Sequence, residues 1–331
     1  MPLGDLPHSR RTKTSTGAAS TDRRLGWVID VEVPAELAGF AVKHNGDKGR
    51  AWIERLPGLL ADRMEGWGLR PEGPARNGMA AIVVPVVRVD GERAVLKLQI
   101  LDEESEGEPA GLRAWNGNGA VLLLEDDEAT GAMLLERLDP DRSLDDVEDA
   151  TKALQILAEL LERLVALPAP EGIRRLEDIA NAMLTQVPDA LEVLDGGAKR
   201  VVDTSAALIR ELVSEPGDRL LHWDLHYENV LAGEREPWLA IDPNPLAGDP
   251  GFDLLPALDN RWEDITATGD VARAVRARFD LMVEVLGLDR RRAAGWTYAR
   301  VLQNTLWDLE DGEPGMHEMQ LAIAEALAVY L

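Results

Sequence analysis

The stretch His222-Trp223-Asp224-Leu225-His226-Tyr227-Glu228-Asn229 places two histidines, two carboxylates and an amide directly after the apolar pair Leu220-Leu221. Groups of these kinds ligate metals, move protons and orient phosphates. Their spacing is H-x-D-x-x-x-x-N, which suits phosphoryl transfer. The aspartate meets a substrate hydroxyl, while the amide oxygen turns back toward a metal on nucleotide phosphates. Further on, Asp242 ends the apolar run Trp238 to Ile241. A carboxylate at a strand end can hold Mg²⁺ against phosphate oxygens.

Other chemistries compete for the same residues. A metal hydrolase would use His222, Asp224 and His226 as direct ligands. The chain has five histidines, and His8 lies in a basic tail, so a polyhistidine centre is hard to complete. A plain polar turn explains neither Asp242 nor Lys97. That lysine, alone between Lys48 and Lys152, closes the apolar run Ala94-Val95-Leu96. It matches the V-A-I-K pattern of a kinase third strand, whose lysine reaches phosphates and pairs with a glutamate on the next helix. Glu108 is the expected partner, with Glu104 and Glu106 in competition, and Pro109 is tolerated in a first helical turn. The plain alternative is an edge-strand lysine facing water.

The elements that must position these groups fall into two sets. Residues 47–68 carry apolar side chains at helical spacing, with Pro57 expected to bend the segment. Two β-branched runs flank Asp90-Gly91 and predict a hairpin. A short helix over 104–116 and strands near 120–125 and 131–137 complete an antiparallel sheet lobe. Beyond Pro140 the pattern is helical: 143–166, opening at Ser143, then 175–193, 200–214, 252–260, 267–286, 289–311 and 315–330. Two strand-like pieces near 229–232 and 238–242 interrupt them. The expected fold is α+β and bilobal, a small antiparallel-sheet N-lobe before a large helical C-lobe.

Composition excludes several function classes. At 331 residues and 45% hydrophobic, the chain can bury a sizeable core in two lobes. It has no cysteine, which rules out disulfides and thiol catalysis. The net charge of −25 argues against nucleic acid and suits either attraction of a cationic small molecule or an acidic surface kept for solubility alone. Residues 1–24 read as a disordered basic tail; Arg10-Arg11 precedes no apolar stretch, so a twin-arginine signal is not expected. No run is long and apolar enough to span a membrane, and a cytoplasmic monomer or homodimer is expected.

The blocks "GLRAWNGNGAVLLLEDD", "GAMLLERLDP", "LLHWDLHYENVLAG" and "REPWLAIDPNPLAGDPGFDLLPALDNRW" carry a resemblance. From about residue 25 onward the chain resembles the aminoglycoside phosphotransferase family, in its streptomycin 6-phosphotransferase and hydroxyurea phosphotransferase branch. The resemblance implies a protein-kinase-like fold, with a nucleotide-binding lobe over 25–138 and a catalytic and substrate lobe over 139–331. It also implies ATP and Mg²⁺, a small polar acceptor, and antibiotic resistance as the setting. By position, Asp224 would be the catalytic base, Asn229 and Asp242 metal ligands, and Lys97 the phosphate contact. The backbone of Glu136, Arg137 and Leu138 would meet adenine, and Asp253 would brace the catalytic loop. His222 would hold that loop by bonding backbone. On the acceptor side the candidates are His226, Asp259, Trp262 and Glu263, with Trp307, Asp308, Glu310 and Asp311 as further walls. Two departures stand out: only Gly78 marks a phosphate loop, and Asn244 replaces a lysine frequent in the family. They keep a pseudokinase or nucleotide-binding regulator open as the rival.

Overall fold

A β-branched run from Ile82 to Val87, broken only by Pro85, faces the apolar run Ala94 to Leu96 and builds the hairpin on which the smaller lobe rests. A computed structural model describes residues 33–78 and 80–331, so the basic tail lies outside the described residues. The smaller lobe runs α1 (Ala35–Gly66), β1 (Arg70–Pro71), β2 (Arg76–Asn77), β3 (Ala81–Val87), β4 (Arg93–Gln99), α2 (Glu108–Trp115), β5 (Leu123–Asp127) and β6 (Ala132–Glu136). Its strands form one antiparallel sheet in the order β1-β3-β4-β6-β5, with β2 also paired to β3. Between β3 and β4, Arg88 N–H donates to the Glu92 carbonyl and Gly91 takes φ 90°. This is a three-residue loop whose one left-handed position is glycine. The register places Lys97 opposite Val83 on one side and Met133 on the other. The lysine is central in the sheet and 4% exposed, which removes the edge-strand reading.

In α1 the expected bend at Pro57 is not where the helix breaks. The non-helical residue is Gly46, at φ 54° and ψ −127°, while Pro57 stays inside the helix. Glycine accepts such a conformation at little steric cost.

The larger lobe opens with β7 (Asp139–Ser143). Ser143 caps only the 3₁₀ turn Leu144–Asp146, in a capping box with Asp146, and not the long helix expected there. The helix α3 (Ala150–Leu164) starts after Asp149, whose carboxylate accepts the N–H groups of Thr151 and Lys152. Then come β8 (Arg174–Arg175), α4 (Leu176–Val193), α5 (Gly196–Leu212), β9 (Arg219–Leu221), β10 (Val230–Ala232), β11 (Leu239–Ala240) and β12 (Leu246–Gly248). The chain closes with α6 (Leu255–Asp259), α7 (Trp262–Ala267), α8 (Val271–Leu286), α9 (Arg290–Glu310) and α10 (Glu318–Leu327).

One apolar core fills the space between α1 and the sheet, around Leu56, Leu60, Leu96 and Leu134. A larger core surrounds Trp296 of α9 and reaches Trp115, Met133 and Leu135. The second face of the sheet, with α2, therefore packs into the helical core, and the two cores do not part at residue 138. Each fully buried leucine contributes roughly 1.5–3 kcal/mol, so this shared packing holds the lobes in register. Two exposed ion pairs also join them: Arg76 of β2 to Asp141 of β7, and Lys43 of α1 to Asp311 beyond α9, each at 3.0 Å. Among the described residues no helix is long and apolar enough to cross a membrane.

Candidate active site

Strand β9 delivers the H-x-D segment, and buried hydrogen bonds fix it. His222 N–H donates to Asp253 Oδ2 at 2.8 Å. Its Nε2 lies 3.0 Å from the Ile241 carbonyl, while Asp224 N–H points at Nδ1 from 3.4 Å. A carbonyl can only accept, so Nε2 carries the proton and Nδ1 accepts. Burial lowers the His222 pKa to about 3, and the ring stays neutral. Burial likewise pushes the Asp253 carboxyl up to about 7, against the backbone N–H groups that favour its charge.

Trp223 then takes φ 68°, a left-handed conformation rare for a bulky residue. Such strain persists only where surroundings enforce it. Here the indole is 2% exposed and its Nε1 donates to Gln303 Oε1 at 3.3 Å. Asp224 follows with its side chain 41% exposed. Burial of its surroundings raises the Asp224 pKa, opposed by the nearby His226 and Arg300. Asn229 Nδ2 donates to the Asp224 carbonyl at 2.9 Å and to Oδ2 at 3.3 Å. Those bonds fasten the loop and leave Asn229 Oδ1 unspent.

The β10–β11 pair returns the chain to Asp242, at φ 54°. Asp242 Oδ1 accepts from Lys97 Nζ at 3.0 Å, and Lys97 also donates to both Glu108 oxygens at 2.7 and 2.8 Å. Gln99 Nε2 completes the cluster on Glu108 Oε2 at 2.7 Å. Burial pulls the Lys97 ammonium down, but the Asp242 and Glu108 carboxylates override it and hold its pKa above the ordinary lysine value. Burial likewise favours protonated Asp242, and Lys97 reverses it, keeping that carboxylate ionised. Of the three competing glutamates, Glu108 is the one that meets the lysine.

A cleft of about 570 Å³ opens beside this cluster, lined by Val95, Lys97, Glu136, Leu138, Ile241 and Asp242 among others. Its size suits a nucleotide. The Glu136 side chain is taken by Arg235, at 2.7 and 3.0 Å, so any adenine contact there is by backbone. The Leu138 N–H has no hydrogen-bond partner among the described residues. An unpaired backbone donor on a cleft wall is what a purine nitrogen would satisfy. Gly73 and Pro74 also line the cleft, in place of a glycine-rich loop.

A second cavity, of about 120 Å³, is lined by Asp224, His226, Pro256, Asp259, Asn260, Arg300 and Asn304. His226 lies 3.8 Å from Asp224 and 3.7 Å from Glu228. Burial raises the Asp259 carboxyl to about 6, although Gln320 donates to it at 3.0 Å. Two acceptor-side candidates are not brought here: Trp262 packs on the helical core and Glu263 is exposed. Of the outer walls, Trp307 lies tilted at 41° to Trp223 with ring centres 6.1 Å apart, while Asp308 and Asp311 pair with His317 and Lys43. Glu310 stays on the exposed surface.

The sequence reading missed Asn260, Arg300 and Asn304. A signal for Arg300 did exist: it interrupts the apolar residues Ala299, Val301 and Leu302, with Trp296, Thr297, Gln303 and Asn304 at the neighbouring helical positions. No carboxylate is there to pair with it.

The donor set favours Mg²⁺ and not a histidine-bound metal. Both ring nitrogens of His222 are already spent on backbone groups. Among the described residues no group of three histidine or carboxylate side chains could enclose an ion. Asp242 with the amide oxygen of Asn229 is a sparse set, which fits a hard ion that takes its other ligands from phosphates and water.

Residues 66–312 match the family model described as aminoglycoside/hydroxyurea antibiotic resistance kinase. A streptomycin 6-kinase of Streptomyces glaucescens is 56% identical over 90% of this chain and 97% of its own length. A hydroxyurea phosphotransferase of Kitasatospora aureofaciens is 54% identical over 92% of this chain and 88% of its own. Among solved structures, amicoumacin kinase hAmiN in complex with AMP-PNP aligns with a TM-score of 0.57 at 15% identity, covering 86% of this chain and 95% of that one. A choline/ethanolamine kinase family protein from Mesorhizobium loti gives 0.52 at 19%, covering 86% and 92%. These likenesses bear out the bilobal protein-kinase-like α+β fold.

Proposed function

The chain belongs to the aminoglycoside/hydroxyurea antibiotic resistance kinase family, and from that premise we propose that it transfers the γ-phosphoryl group of ATP to a hydroxyl of streptomycin or a related aminoglycoside. The observation that carries this reading is one of placement. Asp224 stands on the wall of the small cavity, while Lys97 and Asp242 stand on the wall of the nucleotide-sized cleft. Asn229 bonds Asp224 from the same loop. A pseudokinase is not favoured, because relatives at 56% identity over 90% of the chain are kinases by name.

In this mechanism the Leu138 N–H and the backbone of Glu136 and Arg137 hold the adenine, and Lys97 orients the phosphates with Glu108 as its anchor. Asn229 Oδ1 and Asp242 would ligate Mg²⁺, which when bound neutralises phosphate charge. Asp224 orients the acceptor hydroxyl and takes its proton. The new P–O bond forms as the bond to the β-phosphate oxygen breaks, and ADP leaves. Positioning and charge neutralisation dominate, since the transition state is loose. Asp253 and His222 keep Asp224 in place without touching substrate. A cationic acceptor is in keeping with Asp224 and Asp259 in the small cavity and with the −25 net charge.

The test is ADP release with streptomycin, other aminoglycosides and hydroxyurea as acceptors. Turnover with streptomycin is expected. Asp224→Ala should lower it by about 10²- to 10⁴-fold while ATP still binds. Full activity in that variant, or no turnover with any acceptor, would overturn the assignment.

A further inference from the structure

Arg300 lies on α9, is 6% exposed, and still lines the small cavity with Asp224 and Asp259. Three aromatic rings enclose its guanidinium: Trp307 at 5.1 Å, Trp223 at 5.3 Å and Phe252 at 5.7 Å. Its one hydrogen bond among the described residues runs from Nη1 to Gln303 Oε1, at 2.6 Å. The same Gln303 oxygen accepts from Trp223 Nε1, so arginine and indole are fixed to one point. Asp224, Asp253, Asp259 and Glu104 act on its charge from a distance, and no carboxylate makes a direct ion pair with it among the described residues.

That arrangement is costly unless something else uses it. A buried guanidinium normally pairs with a carboxylate or spends its five donors locally. Here Nε is sealed without a partner, while Nη2 has no partner and is not sealed. The aromatic faces fix the plane of the fork. The donor that stays reachable belongs to a residue on the cavity wall beside Asp224.

We propose that Arg300 is a specificity-determining residue of the acceptor site, donating from Nη2 to an acceptor oxygen adjacent to the hydroxyl that Asp224 addresses. The inference rests on the kinase reading above. It narrows the acceptor class to molecules with a second oxygen close to the reacting one. Streptomycin offers neighbouring ring hydroxyls, and hydroxyurea offers its carbonyl. With Asp259 nearby, the cavity reads an oxygen on one side and tolerates a cation on the other.

The test is steady-state kinetics of Arg300→Lys and Arg300→Met, varying streptomycin and ATP in turn. Losing a hydrogen bond from a charged donor should raise the streptomycin KM by roughly 10- to 100-fold, with the ATP KM unchanged. Loss of uniform acceptor binding has that signature. A streptomycin derivative deoxygenated beside the reacting hydroxyl should bind wild type as poorly as streptomycin binds Arg300→Lys, and the two losses should not add. An unchanged streptomycin KM in folded variants overturns the inference, as does a fall in kcat alone, which would place Arg300 on the transferred phosphoryl. Wild-type enzyme that accepts the deoxy derivative as readily as streptomycin overturns it even if neither variant folds. No wild-type turnover at all overturns the kinase reading and this inference together, whereas normal turnover with an indifferent Arg300 removes only the inference.

Discussion

At the scale of single residues, the site depends on charges whose neighbours decide their state. Asp242 is ionised because Lys97 overrides its burial, so Asp242→Asn should leave the lysine to Glu108 alone and weaken Mg²⁺-ATP binding. Magnesium-dependent nucleotide titration checks this: an unchanged Mg²⁺ requirement would remove Asp242 from the proposed ligand set. Asp259 shows the opposite sign. Its folded pKa, about 6, lies above the ordinary aspartate value near 3.9. The folded state therefore binds the proton more tightly than the unfolded chain. Stability from this group is greatest below about pH 4 and is lost as pH rises toward 6. Asp259→Asn should accordingly raise stability at pH 8 by about 1–3 kcal/mol and change little at pH 4. Chemical denaturation at the two pH values measures it, and equal effects at both would contradict the burial argument.

At the scale of elements, α2 links the two halves of the nucleotide site. It carries Glu108, and it lies against Pro245, just past Asp242. A Cβ on Gly111 would stand 2.5 Å from Pro245 Cγ, so only glycine lets the helix dock this closely. Gly111→Val should displace α2, cost about 1–3 kcal/mol of stability and lower kcat/KM through the Lys97–Glu108 pair. A melting curve with ATP kinetics tests it; lost stability with intact kinetics would uncouple the helix from the site. Much of this element map was legible in the sequence. The 81–99 hairpin, the segment from His222 to Asn229 and the short strand leading to Asp242 each carry local signals, namely an apolar or β-branched run, a turn glycine or fixed spacing. What was not legible depends on distant packing. Pro57 reads as the break, and only the docking of α1 on the sheet puts it at Gly46 instead. Ser143 reads as the cap of the long helix, which instead starts after Asp149. Arg300 lies far along the chain from Trp223 and Asp224; its neighbours mark it as an arginine without a local partner but do not say what it meets.

At the scale of the whole molecule, the −25 net charge acts over distances that no pair contact reaches. If the acceptor is cationic, its kcat/KM should fall as ionic strength rises from about 20 mM to 0.5 M, because the attraction is screened. ATP carries the opposite charge and should show no such fall. A streptomycin rate indifferent to salt would mean that the acidic surface serves solubility alone.

Two of the ion pairs between the lobes, Arg76–Asp141 and Lys43–Asp311, lie at the rim, away from the Lys97–Asp242 and Arg235–Glu136 pairs of the cleft. Both rim pairs are single and exposed, and pairs of that kind hold weakly and yield to salt. They work as latches and not as bolts. The durable connection is the apolar seam of Trp115, Met133 and Leu135, buried in the core of the larger lobe. Parting the lobes at the rim would break only weak pairs, whereas parting them at the seam would expose buried apolar surface.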